Sequence, residues 1–218
     1  ALLLLLTVVL SVLLTLLASW LLSKTVLRGA PSAFSLELPP YRRPQIGQVI
    51  VRSVLDRTLF VLGRAVAVAA PAGLLLWCLA NIAPGGVSLL ARCGAFLDPL
   101  GQLMGLDGMV LAAFLLGLPA NEIVIPILLM GYLSNGMLTS YAGLGELRSI
   151  LLANGWTWHT AVCMVLFTLF HFPCGTTCLT IRRETGSVKW TLLAIALPLL
   201  SGVVLCTAAN LLLSLLPF

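Results

Sequence analysis

Charge is what this chain lacks. Of its 218 residues only 9% are Asp, Glu, Lys or Arg, while 60% are hydrophobic, and the mean hydropathy is +1.11. A soluble domain of this length cannot solvate its surface with so few charges, so the composition excludes one and implies a chain that crosses a bilayer several times. The stretch 1–22 has no charge at all. It shows neither the basic start nor the short apolar core of a cleaved leader, and reads as a genuine span. Because it opens on Ala1 and not on Met, the expectation is a trimmed chain or the C-terminal part of something longer. The six cysteines include no Cys-x-x-Cys pair, which argues against a closed structural zinc site. Cys78, Cys163 and Cys206 lie within apolar runs, where thiols serve as small hydrophobes and not as a disulfide framework.

The charges that are present sort by topology. Lys24, Arg28, Arg42, Arg43, Arg52 and Arg57 all fall between the first two apolar runs, which marks that connector as cytoplasmic by the positive-inside rule. This accounts for the net charge of +5 without a nucleic-acid partner. The expected fold is an all-α polytopic membrane protein in one transmembrane domain, 1–218, with spans over 1–22, 62–82 and 190–215 and a broken span over 156–179. The connector 23–61 begins with Pro- and Gly-rich sequence. It then places Ile50, Val51, Val54, Leu55, Leu59 and Phe60 at helical intervals, as an interfacial helix would. The segment 83–108, with Arg92, Asp98 and Asp107, is too mixed to span and reads as lying outside.

The run Met109–Leu133 is interrupted at its middle by Gly117, Pro119, Asn121, Glu122 and Pro126. If it crossed completely, Arg182, Arg183 and Lys189 would land outside, against the rule that places the first connector inside. The segment 109–135 is therefore predicted to be a re-entrant hairpin. Non-helical backbone at that depth requires surrounding protein or a water-filled cavity, so its tip should face a pathway. A second interruption, His171-Phe172-Pro173-Cys174-Gly175-Thr176-Thr177-Cys178, breaks a later run. Paired Pro- or Gly-broken segments mark transporter binding sites, because unwinding exposes carbonyls and helix ends in mid-membrane.

Glu122 costs about 2.5–3.5 kcal/mol in a bilayer and needs a reason to be there: a cation, a proton, a partner such as Arg92, or a cap on the broken helix. Asn121 would orient it, offer its own oxygen, or cap the returning helix. Pro173 deprives the carbonyls of Thr168, Leu169 and Phe170 of their usual donors. With Cys174, His171 and Cys178, one turn beyond Cys174, these form a mixed set suited to a divalent transition metal. The alternatives are packing for Cys178, a carbonyl hydrogen bond for His171 and backbone repair for Thr176 and Thr177. His159, beside Trp156 and Trp158, reads as interfacial.

The stretches "LGLPANEIVIP", "FPCGTTCLTIRRETGSVKWT" and "ELPPYRRPQ" together resemble the FeoB family of ferrous iron transporters, in the second half of its membrane region with the second of its two gate segments. The resemblance covers the chain from about Ser35 onward. It implies Fe²⁺ as the transported ion with none permanently bound, a bacterial inner membrane, and site residues Glu122, Asn121, Cys174, His171 and Cys178 set among the breaks Gly117, Pro119, Pro173 and Gly175. It also implies partners in the family's N-terminal gate half and GTP-binding domain, and is compatible with a homo-oligomer. The chain has no Gly-x-x-x-x-Gly-Lys-Ser/Thr cradle, so nucleotide control would have to come from elsewhere. Three competing readings are a gate-type carrier for another solute such as a nucleoside, a Cys174–Cys178 thiol oxidoreductase, which lacks a second dithiol, and a structural membrane subunit.

Overall fold

The computed structural model describes residues 2–25, 46–138 and 143–215. The chain divides into two units, Ala1–Phe60 and Val61–Phe218. In the first, α1 (Leu2–Thr25) is an uninterrupted apolar helix. Its last turn carries Lys24, whose ammonium lies 4.2 Å from the centre of the Trp20 ring, the pairing expected where a helix leaves hydrocarbon. The Pro-rich stretch "ELPPYRRPQ" lies outside the described residues. Beyond it, α2 (Ile46–Arg52) continues through a wide π-type stretch, Ser53–Leu59, directly into α3 (Phe60–Asn81). No Gly or Pro falls between Gln48 and Leu62 to interrupt the helical run.

The second unit is built around two short helices. After α4 (Leu89–Leu103) the chain turns through Met104–Asp107 into α5 (Gly108–Leu116), bending by 113°. It turns again at Gly117–Ala120, passes a 3₁₀ turn, Asn121–Ile123, and returns as α6 (Val124–Leu133). Asp107 pairs with Tyr132, Met109 packs into the space over Gly131, and Gly117 lies against Val124. These pairs run in opposite order, so α5 and α6 are the two legs of an antiparallel hairpin. Val110, Ala113, Phe114, Ile127, Leu128 and Leu129 are all buried. The long helices have the reverse pattern. Leu74, Trp77, Leu192, Leu200 and Val204 of α3 and α10 stand exposed, as side chains meeting lipid should.

The remaining elements are α7 (Leu144–Ala153), α8 (Trp158–Phe170), α9 (Gly175–Thr185) and α10 (Val188–Ser214). Among the described residues four helical paths are long and apolar enough to cross a membrane: 5–25 in α1, 61–81 in α3, 158–185 through α8 and α9, and α10. The chain is therefore an all-α polytopic membrane protein. Arg182 and Arg183, expected in a basic turn, belong to the last turn of α9, and only Gly186 and Ser187 separate it from α10. Gly186 takes the left-handed conformation, φ +62°, that ends a helix, and the two guanidinium groups complement the carbonyl end of the dipole.

The base of the hairpin is heavily tied. Asp107 caps α5 by accepting from the Val110 amide at 2.7 Å, and Asp98 accepts from the Gly108 amide at 2.9 Å. The Tyr132 hydroxyl donates to the other oxygen of Asp107 and accepts from the Trp156 indole at 2.7 Å. From α10, the Asn210 amide donates to the Gln102 and Leu103 carbonyls, 3.3 Å each, at the end of α4. Here Gly105 (φ +71°) turns where a Cβ would meet Asn210 and the Cys163 sulfur within 3 Å.

Candidate functional site

The break between α8 and α9 is four residues long, His171–Cys174. Pro173 cannot donate and disfavours a helical residue before it, so α8 ends at Phe170 and the chain extends through His171 (φ −70°, ψ 165°) and Cys174 (φ −63°, ψ 158°). The backbone then re-enters a helix at Gly175. The hairpin tip reaches this same place. The Gly175 amide donates to the Leu118 carbonyl at 2.7 Å, and a Cβ on Gly175 would lie 3.3 Å from Leu118 Cδ2. From the hairpin's first leg, the Phe114 ring sits 5.2 Å from the His171 ring and stands edge-on to Phe167 at 4.8 Å. The two broken segments therefore meet.

Polar groups at the break are partly committed. His171 Nδ1 lies 2.7 Å from the Thr168 carbonyl, one of the three oxygens expected to be left free by Pro173. A carbonyl only accepts, so Nδ1 carries a hydrogen, and in the neutral ring the lone pair is then on Nε2. That Nε2 is buried and has no hydrogen-bond partner. The Cys174 sulfur lies 3.2 Å from the Thr176 hydroxyl and 3.1 Å from that of Thr177. The Cys178 thiol donates to the Pro173 carbonyl at 3.4 Å, so it points back at the break. Thr180, one turn beyond Thr176, accepts from Arg64 of α3 at 3.2 Å.

At the tip, Asn121 is half-buried and Glu122 exposed. Neither caps a helix. The 3₁₀ turn is preceded by Ala120 and α6 by Ile123, both without a side-chain cap. Arg92 donates to the Pro84 carbonyl and not to Glu122. Among the described residues no three His, Cys, Asp or Glu side chains gather closely enough to hold a metal ion. The structure thus brings Leu118, Gly175, His171 and Cys174 to one junction, with Asn121 and Glu122 on the next turn of the tip. Cys163 and Cys206 are buried in the core, as their apolar setting suggests. His159 stands edge-on to Trp158 at 4.0 Å.

Sequence reasoning assigned no role to Leu118, to Phe114 or to the ties at the hairpin base. Leu118 acts through its carbonyl, and no residue type signals that. Phe114 is one of many apolar residues in α5. The ties through Asp98, Asp107, Tyr132 and Trp156 had a visible signal, since Asp107-Gly108 before an apolar run is a helix-start pattern.

Residues 4–56 match the family model described as "Ferrous iron transport protein B C terminus". Three curated relatives each carry the name Fe(2+) transporter FeoB. That of Staphylococcus aureus (strain COL) is 31% identical over 204 residues, covering 90% of this chain and 29% of the relative. That of Methanocaldococcus jannaschii is 29% identical over 85% of this chain and 28% of the relative. In the Synechocystis protein the identity is 29%, over 79% of this chain and 27% of the relative. The chain spans about three-tenths of the length of the curated relatives it matches. No solved structure matches. With nearly its whole length aligned to these transporters and residues 4–56 to the C-terminal family model, the chain belongs to the FeoB family, in the C-terminal part of its membrane portion.

Proposed function

We propose that this chain is part of a permease for ferrous iron uptake across a bacterial inner membrane, and that Fe²⁺ passes between the hairpin tip and the broken span. The observation that carries this reading is the 2.7 Å hydrogen bond from Gly175 to Leu118, which joins two Pro-interrupted turns, one carrying a carboxylate and the other a thiol. Irregular backbone deep in a membrane protein is tolerated where protein encloses it, and the buried legs of the hairpin supply that enclosure.

In this reading the donors act in sequence. Glu122 and Asn121 present oxygen at the tip, where neither caps a helix and, among the described residues, no arginine pairs with Glu122. The lone pair of His171 Nε2 and the sulfur of Cys174 present softer donors at the break, matched to a borderline divalent ion. Cys178 and the backbone breaks at Gly117, Pro119, Pro173 and Gly175 shape the passage. Donors spread along a path bind weakly at each step, which suits an ion that must leave as readily as it enters. No covalent chemistry is required, and nucleotide control belongs to a GTP-binding part of the longer transporters. The hairpin re-enters from the outer face in this topology, with α9 ending inside.

The test uses protein in which Cys174 is the sole cysteine, in membranes and under anoxic conditions. Fe²⁺ should protect Cys174 from a maleimide, and Glu122→Gln should remove the protection. If Fe²⁺ leaves the rate unchanged, or if Glu122→Gln leaves full protection, the shared pathway is refuted.

A further inference from the structure

Away from that junction, α7 and the start of α8 enclose an apolar groove of about 270 Å³, lined by Leu147, Leu151, Leu152, Trp158 and Ala161 with Arg148 beside them. We propose that this groove is a lipid site, taking part of one acyl chain of an anionic phospholipid whose phosphate rests on Arg148. The volume lies just below the ~300–1,000 Å³ of small-molecule sites, enough for a length of hydrocarbon and too little for a headgroup. Arg148 is the one charged side chain lining it and makes no hydrogen bond or ion pair among the described residues. A guanidinium offers a phosphate two parallel donors. Glu146, two positions earlier, lies on a different face of α7 and does not neutralise it. Trp156 and Trp158 line the same groove, and indoles concentrate at the level of the headgroups. Leu152 is 56% exposed and Trp158 49%, so the groove opens outward to lipid. An apolar polypeptide segment laid there would leave the guanidinium without a counter-charge, whereas a phospholipid supplies hydrocarbon and anion in one molecule.

The experiment reads tryptophan quenching in nanodiscs, using the 218-residue chain with Trp20, Trp77 and Trp190 changed to Phe so that emission comes from Trp156 and Trp158. Phosphatidylglycerol and phosphatidylcholine carry the same spin label on the acyl chain. Labelled phosphatidylglycerol should reach half-quenching at about fivefold lower mole fraction, the ratio that one basic side chain gives at ~1 kcal/mol. Arg148→Gln should make the two lipids equal, and Ala161→Phe, which fills the groove and spares Arg148, should weaken quenching by both. Equal quenching by the two lipids in the parent protein overturns the proposal. So does a preference that survives Arg148→Gln, which would be general attraction to the net positive charge. Absence of quenching by either lipid overturns it in favour of a protein cover.

Discussion

Replacing Gly175 by Pro isolates the contact between tip and break. Gly175 is the first residue of α9 and follows Cys174 at ψ 158°, the position and preceding conformation that Pro accepts without harm to the helix. What Pro removes is the amide hydrogen directed at Leu118, whose carbonyl oxygen lies 2.7 Å from the Gly175 nitrogen, and its Cδ crowds the space that hydrogen held. A typical hydrogen bond contributes about 0.5–1.5 kcal/mol net, and a carbonyl left unpaired costs about 1–3 kcal/mol. Taking about 1–3 kcal/mol as the destabilisation of the closed contact, the open population rises between about 5-fold and about 140-fold. Gly175→Ala is the control, since it keeps the amide and puts a Cβ 3.3 Å from the mobile end of Leu118 and 3.5 Å from Val68. The assay is the maleimide reaction rate of Cys174 as the sole thiol, in membranes without metal, where opening is fast relative to labelling. The Pro variant should react at least 5-fold faster than the Ala variant. Equal rates would mean that the hydrogen bond does not hold the junction closed, and the reasoning fails.

Three other outcomes are expected. Tyr132→Phe deprives both Asp107 and the Trp156 indole of a partner and should destabilise the protein by about 1–3 kcal/mol, seen as a lower melting temperature in detergent; an unchanged temperature would show that the tie contributes nothing. Gly108→Ala places a Cβ against the Gly94 carbonyl and the Asp98 backbone, with no flexible neighbour to yield, so size-exclusion chromatography should show little folded protein; Gly143→Ala, with nothing within 4 Å, should behave as the parent. His171→Phe keeps the ring packing against Phe114 but removes the Nε2 lone pair, and should weaken Fe²⁺ protection of Cys174 by at least 3-fold while thermal stability falls by no more than about 1 kcal/mol; full protection would remove His171 from the pathway.

The apolar runs were legible because hydrophobicity over about 20 residues is a sum, insensitive to detail. Breaks were legible for the opposite reason: Pro119 and Pro173 act on their own backbone whatever surrounds them. Depth was not. Nothing in the composition of α5 and α6 distinguishes them from the lipid-facing helices, since Val, Ile and Leu suit both a protein core and hydrocarbon. The segment 83–108 was hard to read because α4 is only partly apolar and gains its place from close contacts of Gly94 and Gly101 with the residues that begin α5. Glu122 and His171 stood out as polar exceptions, but their freedom from Arg92 and from helix capping depends on three-dimensional neighbours. Leu118 was not singled out, because the partner of its carbonyl, Gly175, belongs to a segment distant in sequence.

The uneven tethering of the hairpin makes it a lever. At its base, carboxylates, a phenol, an indole and the amide of Asn210 fix a pivot, while among the described residues one hydrogen bond and the packing of Phe114 hold its far end. The first leg, nine residues long, measures about 14 Å at 1.5 Å per residue. On that length a rotation of only about 10° corresponds to roughly 2 Å at the tip, enough to part Leu118 from Gly175.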